Sequence, residues 1–117
     1  MRIAMIGAGY VGLVSAACFS EFGIDVVCVD NDPGKIERLR QGEIPIFEPG
    51  LGALVASNAA AGRLAFSVEL PAAVAGADAV FIAVGTPSRR GDGHAPAALQ
   101  LLLRVVLDDE LLLQRHI

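Results

Sequence analysis

The feature that most constrains this chain is the run Ile3-Ala4-Met5-Ile6 followed at once by Gly7-Ala8-Gly9-Tyr10-Val11-Gly12. A short apolar segment that ends in a glycine cluster suits a buried parallel strand. Past the glycines, Val11, Val14, Ala17, Cys18 and Phe22 recur at helical spacing, and Gly23 stops that helix. Asp25-Val26-Val27-Cys28-Val29-Asp30 then reads as a second strand, β-branched and apolar through its middle. A G-x-G-x-x-G run alone is a weak signal. Here it leaves a strand, opens a helix, and is followed eighteen residues after Gly12 by Asp30 at the end of the next strand. That context is the one a dinucleotide-binding fingerprint requires.

Each position in it has a physical task. Gly7 makes the tight turn, Gly9 lets a pyrophosphate approach the backbone, and Gly12 lets the helix pack close on the strand. The free N–H groups around Tyr10 and Val11, at the positive end of the helix, face the phosphates. Asp30 accepts hydrogen bonds from ribose hydroxyls and repels a 2′-phosphate, so the expected cofactor is NAD rather than NADP.

The rest of the chain continues the alternation. Asn31-Asp32-Pro33 offers a capping side chain and then proline, a helix start that continues through Ile36, Leu39 and Arg40 to Gly42. Gly42 through Gly50 holds two prolines and two glycines, which excludes a regular element. A third helix is expected from about Leu51 to Ala61, a third strand over Leu64–Val68, and a short helix over Leu70–Ala75. A fourth strand spans Ala79–Val84 and is broken by Gly85-Thr86-Pro87. The order β-α-β-α-α-β-α-β predicts an α/β fold, a Rossmann-type doubly wound parallel sheet with helices on both faces, incomplete in its strands. Strands one and four should flank the point where strand order reverses, which is where ligands sit in such sheets. Thr86 is therefore a candidate hydrogen-bond partner for the cofactor.

Composition excludes other classes. A hydrophobic fraction of 54% with 19% charged residues is not that of a disordered chain. Nine basic against thirteen acidic residues, a net charge of −4, leave no cationic footprint for nucleic acid or an anionic membrane. No uncharged apolar stretch reaches the roughly 18–20 residues of a membrane span. The first apolar run is broken by glycines, unlike a signal peptide, and a cytoplasmic location is expected. The cations from Lys35 to Arg40 alternate with apolar residues and Glu37, and read as a solvated helix face. Cys18 and Cys28 lie in apolar runs and read as buried thiols, neither a disulfide framework nor a metal site. Ile44 through Leu51 reads as a structural loop; Arg89, Arg90 and His94 read as solvated loop residues. No catalytic and no metal-ligating residue is assigned.

Four separated stretches together resemble the N-terminal NAD domain of the UDP-glucose 6-dehydrogenases: Met1 through Leu13, Val29-Asp30 with Lys35-Ile36, Gly42 through Leu51, and Val84 through Ser88. The relatives that oxidise GDP-mannose share much of this pattern. The resemblance covers Met1 to about Ala95. It implies a family of NAD-dependent oxidoreductases that convert the C6 alcohol of UDP-glucose to a carboxylate in two steps, reducing two NAD. By this resemblance Val11, Asp30, Lys35 and Thr86 are cofactor contacts, the Lys35 ammonium reaching the adenosine ribose or the phosphates. The family's second half binds the nucleotide sugar and carries the catalytic cysteine, and it has no counterpart in these 117 residues. Neither Cys18 nor Cys28 matches that cysteine. The chain thus reads as a truncated N-terminal part that binds NAD without turnover, with UDP-glucose a partner only where the second half is present. The alternatives are the same part of a GDP-mannose 6-dehydrogenase and a stand-alone NAD-sensing regulatory module. The latter is not expected to carry Glu48-Pro49-Gly50-Leu51 or Gly85-Thr86-Pro87-Ser88.

The organisation expected is an NAD-binding domain over residues 1–95 and a leucine-rich tail over 96–117. Leucine occurs 6 times before Pro96 and 8 times from there to Ile117. Leu101-Leu102-Leu103 and Leu111-Leu112-Leu113 would place leucine all round a helix, so the tail is expected to be buried by something or to self-associate.

Overall fold

The computed structural model describes residues 1–46 and 48–84. In chain order the elements are β1 (Arg2–Ile6), α1 (Tyr10–Glu21), β2 (Asp25–Val29), α2 (Pro33–Arg40), α3 (Leu51–Ala60), β3 (Leu64–Ser67), α4 (Leu70–Ala75) and β4 (Ala79–Ile82). The four strands form one parallel sheet in the order β3-β2-β1-β4. The chain steps from β1 outward to β2 and β3, then returns to the other side of β1. The reversal of strand order therefore falls between β1 and β4, as the sequence predicts. Gly85-Thr86-Pro87, His94 and the 96–117 tail lie outside the described residues, as does Phe47.

Strand pleating sorts the apolar residues into two layers. Ile3, Met5, Val26, Cys28, Leu64 and Phe66 join Leu13, Val14 and Ala17 of α1, Ile36 and Leu39 of α2, and Leu51, Leu54 and Val55 of α3 in one core. On the other face the smaller set Ala4, Val27 and Val29 packs with Ala73 of α4 and Ala77. Helices thus cover both faces, thickly on one and thinly on the other. The least covered strand is β4, where Ile82 is 77% exposed.

The inward side of α1 differs from the stripe expected from spacing. Val11 and Phe22 are exposed, while Gly12, Leu13, Val14, Ala16, Ala17, Cys18 and Ser20 are buried. The cause is that α1 is enclosed by the sheet and by α3 together, so small residues on a broad arc go inside. Polar groups lock the two helices. Asn58 Nδ2 donates to Leu54 O (2.9 Å) and to Glu21 Oε1 (3.0 Å), and Arg63 Nε donates to Asn58 Oδ1 (2.9 Å) and Ser20 O (3.1 Å). Buried Ser20 donates its hydroxyl to Ala16 O at 2.8 Å. No buried polar side-chain atom is left without a partner among the described residues.

Helix α2 starts where its sequence dictates. Asp32 Oδ1 accepts from the N–H groups of Gly34 (3.0 Å) and Lys35 (3.2 Å), and Pro33 takes the first helical position. Such a cap stabilises by about 1 kcal/mol. Arg40, expected on a merely solvated face, instead donates from Nε (3.1 Å) and Nη2 (2.8 Å) to Phe66 O. The carbonyl of Arg63 accepts from Val26 N–H of β2 and that of Ser67 from Asp30 N–H just past it, so the alternate carbonyl of Phe66 faces away from β2. Arg40 closes that open edge of β3. Among the described residues no helix is long and apolar enough to cross a membrane.

Candidate functional site

The glycine turn joins β1 to α1 at the carboxyl ends of the strands. Gly7 has φ +111°, which favours glycine, and its N–H donates to Val29 O at 2.7 Å. A β-carbon on Gly7 would come within 2.7 Å of Ala83 O, just past β4. One on Gly12 would run into the carbonyl of Gly7 itself. These two glycines are needed because the fold closes on them. Gly9 is different: a β-carbon there would meet nothing within 4 Å among the described residues.

Gly9 caps α1 without a side chain, and the first rung of the helix is Leu13 N–H to Gly9 O at 2.9 Å. The N–H groups of Tyr10, Val11 and Gly12 precede that ladder and carry the helix's positive end. The Tyr10 ring packs against the core and Val11 points outward, so both present backbone rather than side chain to the turn.

Asp30 follows β2 directly and faces the turn. Its Oδ2 accepts from Ala8 N–H at 3.1 Å and from Lys35 Nζ at 3.4 Å, and its Oδ1 accepts from Asp32 N–H at 3.1 Å. Partial burial pushes the carboxyl up. The Ala8 and Asp32 N–H groups and the Lys35 ammonium outweigh that, and hold it below the usual carboxylate range. Lys35 reaches Asp30 because the Asp32 cap fixes the first turn of α2. The structure thus brings Gly7, Gly9, Tyr10, Val11, Gly12, Asp30 and Lys35 together; Thr86 lies outside the described residues.

Beside Asp30 lies a cleft of about 230 Å³, lined by Ile6, Gly7, Val29, Asp30, Asn31, Val68, Leu70 and Val84. Val68, Leu70 and Asn31 were not singled out from the sequence. For Val68 and Leu70 the signal available was apolar side chains placed just past β3, which the structure leaves exposed. Cys18 and Cys28 are both buried, as expected. Burial, helped by nearby carboxylates, pushes the Cys18 thiol up to about 11 and the Cys28 thiol up to about 12.

Residues 1–108 match the family model described as the NAD binding domain of the UDP-glucose/GDP-mannose dehydrogenase family. The chain belongs to this family. A UDP-glucose 6-dehydrogenase of Rhizobium meliloti (strain 1021) is 72% identical over 95 residues, covering 81% of this chain and 22% of that relative. In a ternary complex, the GDP-mannose dehydrogenase of Pseudomonas aeruginosa superposes with a TM-score of 0.71 at 43% identity, covering 84% of this chain and 22% of that one. A UDP-glucose dehydrogenase from the archaeon Pyrobaculum islandicum gives 0.70 at 40% identity, covering 91% and 24%. The chain therefore spans about a fifth of the length of the curated relatives it matches. UDP-glucose/GDP-mannose dehydrogenases are NAD-dependent oxidoreductases, and the residues matched are the part that binds NAD.

Proposed function

We propose that this chain is the NAD-holding part of an enzyme that oxidises the C6 alcohol of UDP-glucose to a carboxylate, and that by itself it binds NAD without turnover. The observation that carries the reading is the open space at Gly9. Nothing among the described residues requires glycine there. Its missing side chain leaves the first-turn N–H groups of α1 approachable by an anion the size of a diphosphate. Asp30 and Lys35 would take the adenosine ribose, and the apolar walls of Val68 and Leu70 suit a flat base. The resemblance to the family adds Thr86, outside the described residues, as a further contact. When bound, NAD supplies the hydride acceptor.

The chain's own residues bind and orient. The N-terminus of α1 holds negative charge, the glycine turn fixes the approach of the phosphates, and Asp30 excludes a 2′-phosphate. Among the described residues both thiols are buried, so neither is placed to act as a nucleophile. Substrate binding and C–H cleavage are assigned to the portion of the relatives that this chain does not span. The higher identity to the Rhizobium UDP-glucose enzyme than to the Pseudomonas GDP-mannose enzyme favours UDP-glucose as the sugar nucleotide.

The test is Gly9→Ala. At φ −81° alanine is unstrained and meets no neighbour among the described residues, so the melting temperature should stay within a few degrees of the parent. NAD affinity by calorimetry should fall at least about tenfold. A folded Gly9→Ala chain that binds NAD as tightly as the parent would sink the reading.

A further inference from the structure

We propose that Cys28 is a positioning residue of the dinucleotide turn: its thiol and the Asp30 carboxylate hold the two ends of one amide, the peptide between Gly7 and Ala8. The Gly7 carbonyl and the Ala8 N–H belong to the same rigid plane. Cys28 Sγ donates to Gly7 O at 3.7 Å, and Ala8 N–H donates to Asp30 Oδ2 at 3.1 Å. Cys28 and Asp30 stand two residues apart along the same strand and its end, so one stretch of backbone carries both clamps.

Among the described residues the carbonyl end has Cys28 as its hydrogen-bond donor. Gly7 is buried, and the bare α-carbon of Gly12 lies against its oxygen. The neighbours Val26, Val27 and Val29 show that valine fits this strand. Valine at 28 would fill the core equally well but leave a buried carbonyl without that donor, which is costly. With its thiol pushed up to about 12, Cys28 keeps its proton and remains a donor at neutral pH.

The consequence reaches the cofactor through Asp30. Release of the carbonyl lets the amide rotate and draws its N–H off Asp30 Oδ2. Among the described residues Asp30 would then keep the Asp32 N–H and the ammonium of Lys35. Its carboxyl would titrate at higher pH and present itself less rigidly to a ribose. The inference rests on the proposed NAD site, but its first readout does not.

The experiment compares Cys28→Val and Cys28→Ser in the full chain. Carboxyl NMR follows the Asp30 titration, amide NMR follows Ala8, and calorimetry gives the NAD affinity. In the valine variant Asp30 should titrate at higher pH, the Ala8 amide should shift, and NAD affinity should fall about five- to tenfold. Serine, which keeps a donor, should restore all three. A cysteine that only packs predicts a valine variant with the parent's Asp30 titration and NAD affinity, and that result overturns the proposal. Should valine prevent folding, Cys28→Ala takes its place against serine, and equal titrations and affinities in the two overturn it. If the parent chain binds no NAD, the functional reading fails while the Asp30 titration still judges the clamp.

Discussion

The carbonyl oxygen of Gly7 occupies the space that a β-carbon on Gly12 would need. Both partners are backbone, one at the end of β1 and the other in the first turn of α1, so neither can swing aside. Gly12→Ala gains about 1 kcal/mol of helix propensity. Overpacking costs about 1–3 kcal/mol, and against backbone that cannot swing aside it falls at the upper end, so the clash wins. The expected outcome is a net loss of about 2 kcal/mol in urea unfolding. Gly34→Ala in α2 is the control. There the nearest obstacle is the flexible end of Arg38 at 3.3 Å, and stability should hold or rise slightly. Equal effects of the two substitutions would contradict the steric role of Gly12 in the turn.

The two thiols should be silent in the folded chain. Both are fully buried, and both are pushed well above the ordinary thiol range, by burial first and by neighbouring carboxylates second. The reactive form is the thiolate, scarce at pH 8 for groups of this kind. A disulfide reagent at pH 8 should label neither cysteine in buffer and both in denaturant. Rapid labelling of either in the folded state would show that the core around α1 or β2 opens far more readily than its packing implies.

Local signals carried most of this fold. Gly7 announces its left-handed turn, and Asp32-Pro33 announces the cap of α2, because each acts within a few residues of itself. The apolar runs and their glycine stops place all eight elements of the described residues, and the β1-to-β4 reversal follows from how the crossovers must run. The candidate site was readable for the same reason: its glycines and Asp30 form one strand-turn-helix-strand unit. What escaped depends on distance along the chain. Arg40 and Phe66 are 26 residues apart, Ser20 and Arg63 are 43 apart, and neither partner's identity hints at the other. The thiol of Cys28 escaped too, since a cysteine among valines reads as a small hydrophobe until the carbonyl above it is seen.

Acid should loosen the site before the core. The folded-state carboxyl of Asp30 lies below its unfolded value, held there by two N–H groups and Lys35. A group with a depressed folded pKa contributes stability above its unfolded pKa, about 3.9, and loses it as pH falls through the folded value. Lys35→Met removes one of the holding groups. Because the lysine side chain is 31% exposed, the loss at neutral pH should stay under about 1 kcal/mol. The acid-unfolding midpoint should nevertheless move to higher pH. A midpoint unchanged from the parent would show that the Lys35–Asp30 contact contributes nothing to the folded state in solution.

Cofactor choice should turn on Asp30. Its carboxylate is 13% exposed and held from both oxygens, so it cannot turn aside to make room for a phosphate. A 2′-phosphate placed beside it would meet a fixed negative charge in a partly desolvated site, which disfavours NADP. NAD loses nothing by this and gains acceptors for its ribose hydroxyls. The parent chain should therefore bind NAD at least about tenfold more tightly than NADP, a difference of about 1.4 kcal/mol. In Asp30→Ala two changes act together: the ribose loses its acceptors, weakening NAD, and the repulsion disappears, relieving NADP. Lys35, freed from its partner, then offers an ammonium to the 2′-phosphate. The ratio of affinities should collapse toward unity or invert, chiefly through weaker NAD binding. Calorimetric titration of both cofactors into both chains reads the ratio directly. A parent that does not discriminate, or a variant that keeps the parent's preference, would remove Asp30 from the cofactor site and with it the physical ground for expecting NAD over NADP.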